Sequence, residues 1–141
     1  MQESDIFTLI RTVERFSNES MLRWMRAFPH SVGISSILVL EALREKGPRK
    51  QSELADQFGY TPGAMTNIAT KLIKTNYAKR EYDRDDRRII RLCITEEGVQ
   101  LLHEARAVGE DLRAELFSVL SDEEIQQFLL IHEKLLTNFS E

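Results

Sequence analysis

The sequence contains a single cysteine, Cys93, in 141 residues. One cysteine cannot form an internal disulfide, and it cannot supply the several thiolates of a structural zinc site. No apolar run approaches the ~18 residues of a membrane-spanning helix, and no secretory hydrophobic segment is present. These absences predict a soluble, cytoplasmic protein that has no cofactor and no membrane association.

Catalytic signatures are missing as well. The sequence has no Gly-x-Gly-x-x-Gly, no Gly-Lys-Ser/Thr phosphate loop and no His-Glu-x-x-His motif. The three histidines, His30, His103 and His132, are too scattered for a local metal-ligand set, and we interpret His132 as a core or interface residue. The acidic residues at 96–97 and 122–124 are interpreted as charges that complement helix N-termini. We therefore expect neither a metal site nor enzymatic activity.

Prolines are few, and each of the three marks an expected helix boundary: Pro29, Pro48 and Pro62. Linkers rich in proline and internal repeats are absent. A chain of this length buries roughly 68–70% of its unfolded surface. Residues 1–141 are therefore expected to form a single domain.

Negative charge is in slight excess over the whole chain, with a formal net charge of −4. The segment from residue 44 to residue 91 nevertheless holds 12 Lys or Arg and 7 Asp or Glu, a net charge of +5, which leaves −9 for the two flanks. A basic segment within an acidic chain indicates a localised nucleic-acid-binding surface.

Apolar periodicity predicts four helices, a β-hairpin and two further helices. An apolar stripe that begins at Ile6 predicts a first helix, and Phe28-Pro29 should end it. Gly47 and Pro48 should close the second helix, and Thr61 should cap the fourth. The later helices are expected over residues 34–46, 51–58, 62–75, from 95 through 120, and after the Ser-x-x-Glu capping box at residue 121.

The fourth predicted helix carries the residues that favour DNA reading. Met65, Ile68 and Leu72 recur at helical spacing and are expected to face the core. Short side chains allow close approach to the major groove, amides and hydroxyls read base edges, and cations bind phosphates. An ordinary solvated helix face is the alternative for this helix taken alone. The residues on or near the outer face are Gly63, Ala64, Thr66, Asn67, Thr70 and Lys71, and the helix N-terminus at Pro62 favours a phosphate.

Residues 77–95 contain two alternating runs joined by a charged tip, which predicts a β-hairpin. Ile90, Leu92 and Ile94 are expected to alternate onto one of its faces. Positive charge lies along both strands and the tip, at Lys79, Arg80, Arg84, Arg87, Arg88 and Arg91.

The tip of this hairpin is expected to enter a narrow minor groove, where negative potential is concentrated. Aspartates are interleaved with the arginines, and carboxylates can brace guanidinium groups through paired hydrogen bonds. We interpret Asp86 and Arg88 as a bracing pair and Arg84 or Arg87 as the inserted side chain. A solvated turn of balanced charge is the alternative for any single residue.

Together these motifs resemble the multiple antibiotic resistance regulator (MarR) family of bacterial winged-helix proteins, over essentially the whole chain. Asn76 stands where the family usually has glycine, and asparagine tolerates the left-handed conformation. The matching motifs are Ser52-Glu53-Leu54-Ala55 at the start of the third helix, Thr61 to Leu72 as the reading helix, Asp86-Arg87-Arg88 in the wing, and Ile94-Thr95-Glu96-Glu97-Gly98 after it.

The resemblance implies a mainly α (α+β) fold: a winged helix-turn-helix with a two-stranded wing and long terminal helices. Residues 1–30 and 96–141 would be dimerisation helices, and residues 34–95 would bind double-stranded DNA. It implies a homodimeric transcriptional regulator, acting as a repressor on a pseudo-palindromic operator. The apolar stripes of the terminal helices independently favour a twofold partner. The DNA-binding residues would be Pro62, Gly63, Ala64, Thr66, Asn67, Thr70, Lys71, Arg84, Arg87 and Arg88.

Many relatives release DNA when a small, often aromatic ligand enters a crevice between the dimerisation helices and the winged domain. The resemblance places such a site among Arg11, Trp24, Met25, His30 and Ile34. Ordinary core or surface packing is the alternative for each of these residues.

Two further alternatives bear on the mechanism. Some relatives sense oxidants through a cysteine in the first helix, whereas Cys93 lies within a predicted strand, where a thiol is usually inert. We predict that thiol oxidation is not the trigger; loss of operator binding under mild peroxide, abolished by Cys93→Ser, would contradict this. The competing functional class is a winged-helix module that binds proteins and no operator.

Overall fold

A computed structural model describes residues 3–139 of the chain. The fold class predicted from the sequence is confirmed: six helices and one two-stranded antiparallel sheet occur in this range. The elements, in chain order, are α1 (Glu3–Ala27), α2 (Ile34–Lys46), α3 (Gln51–Phe58), α4 (Pro62–Lys74), β1 (Ala78–Tyr82), β2 (Ile90–Ile94), α5 (Glu96–Phe117) and α6 (Asp122–Phe139).

One predicted boundary is wrong. Helix α5 ends at Phe117 and does not continue to Leu120, because the N–H of Leu120 donates to the carbonyl of Phe117 in a tight turn. The capping box predicted at Ser121 forms: its hydroxyl accepts from the N–H of Glu124 at 3.2 Å, and the Glu124 carboxylate accepts from the N–H of Ser121 at 3.0 Å. These bonds hold the pKa of Glu124 below its usual value.

The chain divides into two compact units, one of Met1–Trp24 with Gly109–Glu141 and the other of Met25–Val108. Residues 34–95, the segment expected to bind DNA, lie within the second unit. The expected dimerisation segments include residues 1, 2, 140 and 141, which lie outside the described residues. Assignment of the segments to dimerisation and DNA binding stays a prediction.

The second unit is built around α2. This helix contributes buried side chains on most of its faces, including Ile37, Val39, Leu40 and Leu43. Its exposed residues are Leu38 and the last three, Arg44, Glu45 and Lys46, so most of the helix acts as the centre of a core. The other elements pack their apolar residues into the same core, namely Leu54, Ala55, Met65, Ala69, Leu72, Leu92, Leu101, Leu102 and Ala105.

The turns of the second unit use the residues expected from their backbone conformations. Gly47 and Gly59 follow α2 and α3 with positive φ values of 79° and 69°. Asn76 follows α4 with φ of 66°, a left-handed conformation that asparagine tolerates. Thr61 caps α4 by accepting from the N–H of Ala64 at 3.1 Å, and Pro62 occupies the first turn.

The hairpin pairs β1 with β2 in a register that sets Ala78 opposite Ile94 and Tyr82 opposite Ile90. Ile90, Leu92 and Ile94 alternate along this strand and therefore lie on one face, as expected. Ile90 is 40% exposed, whereas Leu92 and Cys93, on opposite faces, are both buried. Near its base β2 is therefore covered on both faces, and only near the tip does it face solvent.

The first unit packs α1, α6 and the end of α5 through aromatic side chains. The ring of Phe117 lies 6.0 Å from that of Phe16 and 5.8 Å from that of Phe128, measured between centroids. Neither α1 nor α6 contains a fully buried residue within the described part of the chain. His132, which we expected to be a core or interface residue, is exposed and stacks on Phe128 at 4.3 Å.

Within residues 3–139, no helix combines the length and the apolar character needed to cross a lipid bilayer.

Candidate nucleic-acid interface

Helix α4 exposes a polar face, and its opposite face is buried in the core. Met65, Ala69 and Leu72 are buried, and Ile68 is only half-buried. Two of the three predicted core residues, Met65 and Leu72, are thus buried, and Ala69 is buried where Ile68 was expected. All seven α4 residues predicted to bind DNA are exposed: Pro62, Gly63, Ala64, Thr66, Asn67, Thr70 and Lys71.

The hydroxyl of Thr66 is already engaged within the helix-turn-helix. It donates to the carbonyl of Pro62 at 2.9 Å and accepts from Nε2 of Gln51 on α3 at 3.4 Å. The hydroxyl proton is therefore not free to bind a base edge. The methyl group of Thr66 can still contact the methyl group of thymine. Within residues 3–139, the amide of Asn67 has no such internal hydrogen bond, so it keeps the paired donor and acceptor that suit adenine.

Asp83 organises the wing tip, which we define as residues 83–89. Its Oδ2 accepts from the N–H groups of Asp85 and Asp86, both at 3.1 Å, and its Oδ1 accepts from Nη1 of Arg91 at 2.7 Å. The hydrogen bond from Arg91, followed by the two backbone bonds, holds the pKa of Asp83 below its usual value. Arg91 therefore braces the wing from β2.

Asp86 forms the predicted bracing pair with Arg88. The Nε and Nη2 atoms of Arg88 donate to the two carboxylate oxygens at 3.0 and 3.1 Å, and its backbone N–H also donates to Oδ1 at 3.0 Å. This pairing lowers the pKa of Asp86. Arg84 and Arg87 are exposed, and neither forms an ion pair with another described residue.

A set of hydrogen bonds, which we call the wing clasp, connects the end of α4 to the start of α5. The N–H of Tyr77 donates to the carbonyl of Leu72 at 2.9 Å, and the N–H of Thr95 donates to the carbonyl of Tyr77 at 3.1 Å. The hydroxyl of Thr95 donates to the carbonyl of Asn76 at 2.6 Å and accepts from the N–H of Gly98 at 3.0 Å. Both strands of the wing are thereby fixed at their base relative to α4.

The residues predicted to bind a ligand are divided between the two units. Arg11 and Trp24 belong to the first unit, whereas Met25, His30 and Ile34 belong to the second. His30 interacts within its own unit, because its Nε2 lies 2.5 Å from a carboxylate oxygen of Glu104. Neither unit alone brings the five residues together.

Cys93 lies in an unreactive environment. The thiol is buried and donates to the carboxylate of Glu81 at 2.8 Å. Burial, followed by the neighbouring Glu81, raises the pKa of Cys93 to about 11. Because the thiolate is the form that reacts with oxidants, this environment agrees with the prediction that oxidation is not the trigger.

Comparison with known proteins identifies relatives of this chain. Residues 34–90 match the family model for the MarR family. The transcriptional repressor MdtR of Bacillus subtilis is 34% identical over 101 residues, which are 72% of this chain and 65% of the length of that repressor. The chain thus spans slightly less than two thirds of that relative.

Solved structures support the same assignment. The YusO protein of Bacillus subtilis is 30% identical, with a TM-score of 0.78 over 95% of this chain and 94% of that one. A mutant of the MarR protein of Escherichia coli in complex with operator DNA is 21% identical, with a TM-score of 0.75 over 94% and 96% of the two chains. The exposed reading helix, the braced wing and these similarities agree, and this chain belongs to the MarR family of winged helix-turn-helix transcriptional regulators.

Proposed function

We propose that this chain acts in the cytoplasm as a repressor that binds a pseudo-palindromic operator as a homodimer. The observation that carries the proposal is the exposed polar face of α4 beside a wing in which carboxylates hold Arg88 and Arg91. Two relatives add support, since MdtR is named a repressor and the Escherichia coli MarR structure contains operator DNA.

Each exposed residue has a proposed role. Asn67 reads adenine in the major groove, and Lys71 binds a phosphate of the same half-site. Arg84 or Arg87 enters the minor groove, since both are exposed and form no ion pair among the described residues. Asp86 holds Arg88 in a fixed orientation. Pro62, Gly63, Ala64, Thr66 and Thr70 supply the close-approach surface.

Exposed apolar surface on the first unit supports the homodimer, because contiguous patches of this kind mark interaction sites. We expect sedimentation equilibrium of the full chain to give the mass of two protomers, and a single-protomer mass at micromolar concentration would contradict the proposal. The large apolar side chains of the first unit that are exposed on α1 and α6 are Ile6, Phe7, Leu9, Ile10, Val13, Phe16, Met21, Leu22, Ile125, Phe128, Leu129, Leu130, Ile131, Leu135, Leu136 and Phe139.

Salt dependence tests the DNA-binding proposal. A duplex selected by the protein from random DNA should bind with an affinity that falls steeply as salt is added. We expect Lys71→Ala to reduce the slope of log affinity against log salt by about one unit, because one phosphate contact is lost. Arg87→Ala should reduce affinity and flatten the slope similarly.

Lys134→Ala is the matched control for these variants, since Lys134 is exposed on α6, far along the chain from the reading helix. It should leave the slope unchanged. Absence of DNA binding at low salt would contradict the proposal and favour a module that binds other proteins.

We also propose that a small aromatic ligand releases the DNA. The support is the chemistry of the residues predicted for the site: Arg11 is cationic, Trp24 and His30 are aromatic, and Met25 and Ile34 are apolar. Such a set suits an aromatic acid. Titration with salicylate or related phenolic compounds should quench the fluorescence of Trp24, which is the only tryptophan in the sequence, and weaken operator binding. A panel that changes neither signal would contradict this part of the proposal.

A further inference from the structure

A concave basic pocket lies between the start of α3 and the wing. Its volume is about 340 Å³. Lys50, Gln51 and Ser52 line it from the α3 side, and Arg80 and Arg88 line it from the hairpin. Among the described residues, no carboxylate lines this pocket. The rest of the wall is apolar, from Ile89, Ile90 and Leu92, and Arg88 is already paired with Asp86. Lys50 and Arg80, with a hydroxyl and an amide, therefore line one concave surface that suits an anion.

The two sides of this pocket are fixed by hydrogen bonds between elements. Arg49, immediately before the pocket residues, exchanges two backbone hydrogen bonds with Leu92 of β2, at 3.1 and 2.8 Å. The N–H of Lys50 donates to the carboxylate of Glu53 at 3.0 Å, which fixes the start of α3. Arg80 lies opposite Leu92 in the hairpin register. The pocket is thus preformed, and an anion entering it needs no rearrangement of the backbone.

The location of the pocket indicates which anion it meets. Gln51, in its wall, donates to Thr66 on the outer face of α4, and Arg88, in its opposite wall, belongs to the wing tip. In a duplex, one sugar–phosphate strand separates the major groove from the adjacent minor groove. When α4 occupies the major groove and the tip occupies the minor groove, that strand passes over the pocket.

We propose that this pocket binds one phosphate of the DNA backbone in each half-site, with Lys50 and Arg80 as its principal cations and Ser52 as a hydroxyl donor. The inference rests on the proposed DNA binding and adds Lys50, Ser52 and Arg80 to the interface. Contacts of this kind carry no sequence information, but they fix the register of the protein on the duplex. The phosphate clamp thereby determines which bases lie beneath α4.

The test compares a double variant that lacks the two principal cations of the pocket with a control double variant of the same net charge. In Lys50→Gln with Arg80→Gln, we expect about a tenfold loss of affinity at low salt for a duplex selected by the wild-type protein, and a salt slope smaller by about one unit. The control combines Lys46→Gln with Lys79→Gln. Both control lysines are exposed and absent from the pocket wall, and Lys79 adjoins Arg80 on the opposite face of β1. The control should retain at least half of the wild-type affinity.

A second measurement locates the phosphate. In this experiment, single phosphates along the duplex are replaced by neutral methylphosphonates. We expect one position per half-site at which the replacement weakens DNA binding by the wild-type protein but has little effect on DNA binding by the pocket variant. Equal behaviour of the two double variants, or no such coupled position, would overturn the inference while DNA binding itself stands. Salt-independent or absent binding by the wild-type protein would instead overturn the proposed function. Thermal unfolding of all variants verifies that the fold is unchanged.

Discussion

Replacing Gly98 with alanine is expected to lower the free energy of unfolding by about 2–3 kcal/mol. Gly98 is buried in the first turn of α5, within the wing clasp. A β-carbon at this position would overlap the carbonyl oxygen of Tyr77 and lie 2.8 Å from Cγ1 of Ile94. The carbonyl belongs to the backbone and already accepts from the N–H of Thr95, so it cannot move without loss of that bond. Urea unfolding followed by circular dichroism measures the effect.

Gly63→Ala is the matched control for this change. Gly63 lies in the first turn of α4, and an added β-carbon there would meet no atom within 4 Å. Because alanine is favoured over glycine in helices, this variant should be as stable as the wild type or up to about 1 kcal/mol more stable. Equal stability of the Gly98→Ala and Gly63→Ala proteins would show that the wing clasp can accommodate a β-carbon at position 98, contrary to our interpretation.

Most helix ends could be predicted from the sequence because local chemistry determines them, whereas the end of α5 at Phe117 was not predicted. Gly47 and Gly59 occupy positive φ values, Thr61 accepts the N–H of Ala64, and Ser121 forms its capping box with Glu124. Each of these signals acts within four residues. These boundaries can therefore be placed without knowledge of the tertiary packing.

The core face of α4 was less predictable. Spacings of three and four residues both satisfy helical periodicity, so the spacing alone does not distinguish Ile68 from the adjacent Ala69. The structure buries Ala69 and leaves Ile68 half-buried. The choice depends on how closely neighbouring elements approach the helix, and hydrophobicity alone favours the larger side chain.

Features that join distant segments could not be predicted. The Arg49 bridge to Leu92 spans more than 40 residues and involves no run of strand-forming residues. The ion pair of Asp83 with Arg91 requires the hairpin register to be known, and the phosphate pocket requires both the bridge and the register. The sequence allowed the local pair of Asp86 with Arg88 to be predicted, but not the pair of Asp83 with Arg91, whose partners lie on either side of the tip.

Removing a negative charge from the wing tip is expected to weaken DNA binding. Asp83→Ala makes the chain more positive, and electrostatics alone would strengthen its attraction to phosphates. The same change removes the acceptor of two backbone N–H groups and of Arg91. The tip then loses its fixed turn, and ordering Arg84 and Arg87 on the duplex costs conformational entropy on binding. We expect about a tenfold loss of affinity, measured by fluorescence anisotropy.

Asp85→Ala is the control that separates shape from charge. Asp85 carries the same charge two residues away, and within residues 3–139 its carboxylate accepts no hydrogen bond and joins no ion pair. Its removal should leave affinity unchanged or raise it. Asp83→Asn should lie between the two, because an asparagine oxygen still accepts the backbone N–H groups but forms no ion pair with Arg91. Were Asp83→Ala to bind as tightly as Asp85→Ala, the carboxylate would act only as a charge, and the arginines would need no fixed tip to reach the groove.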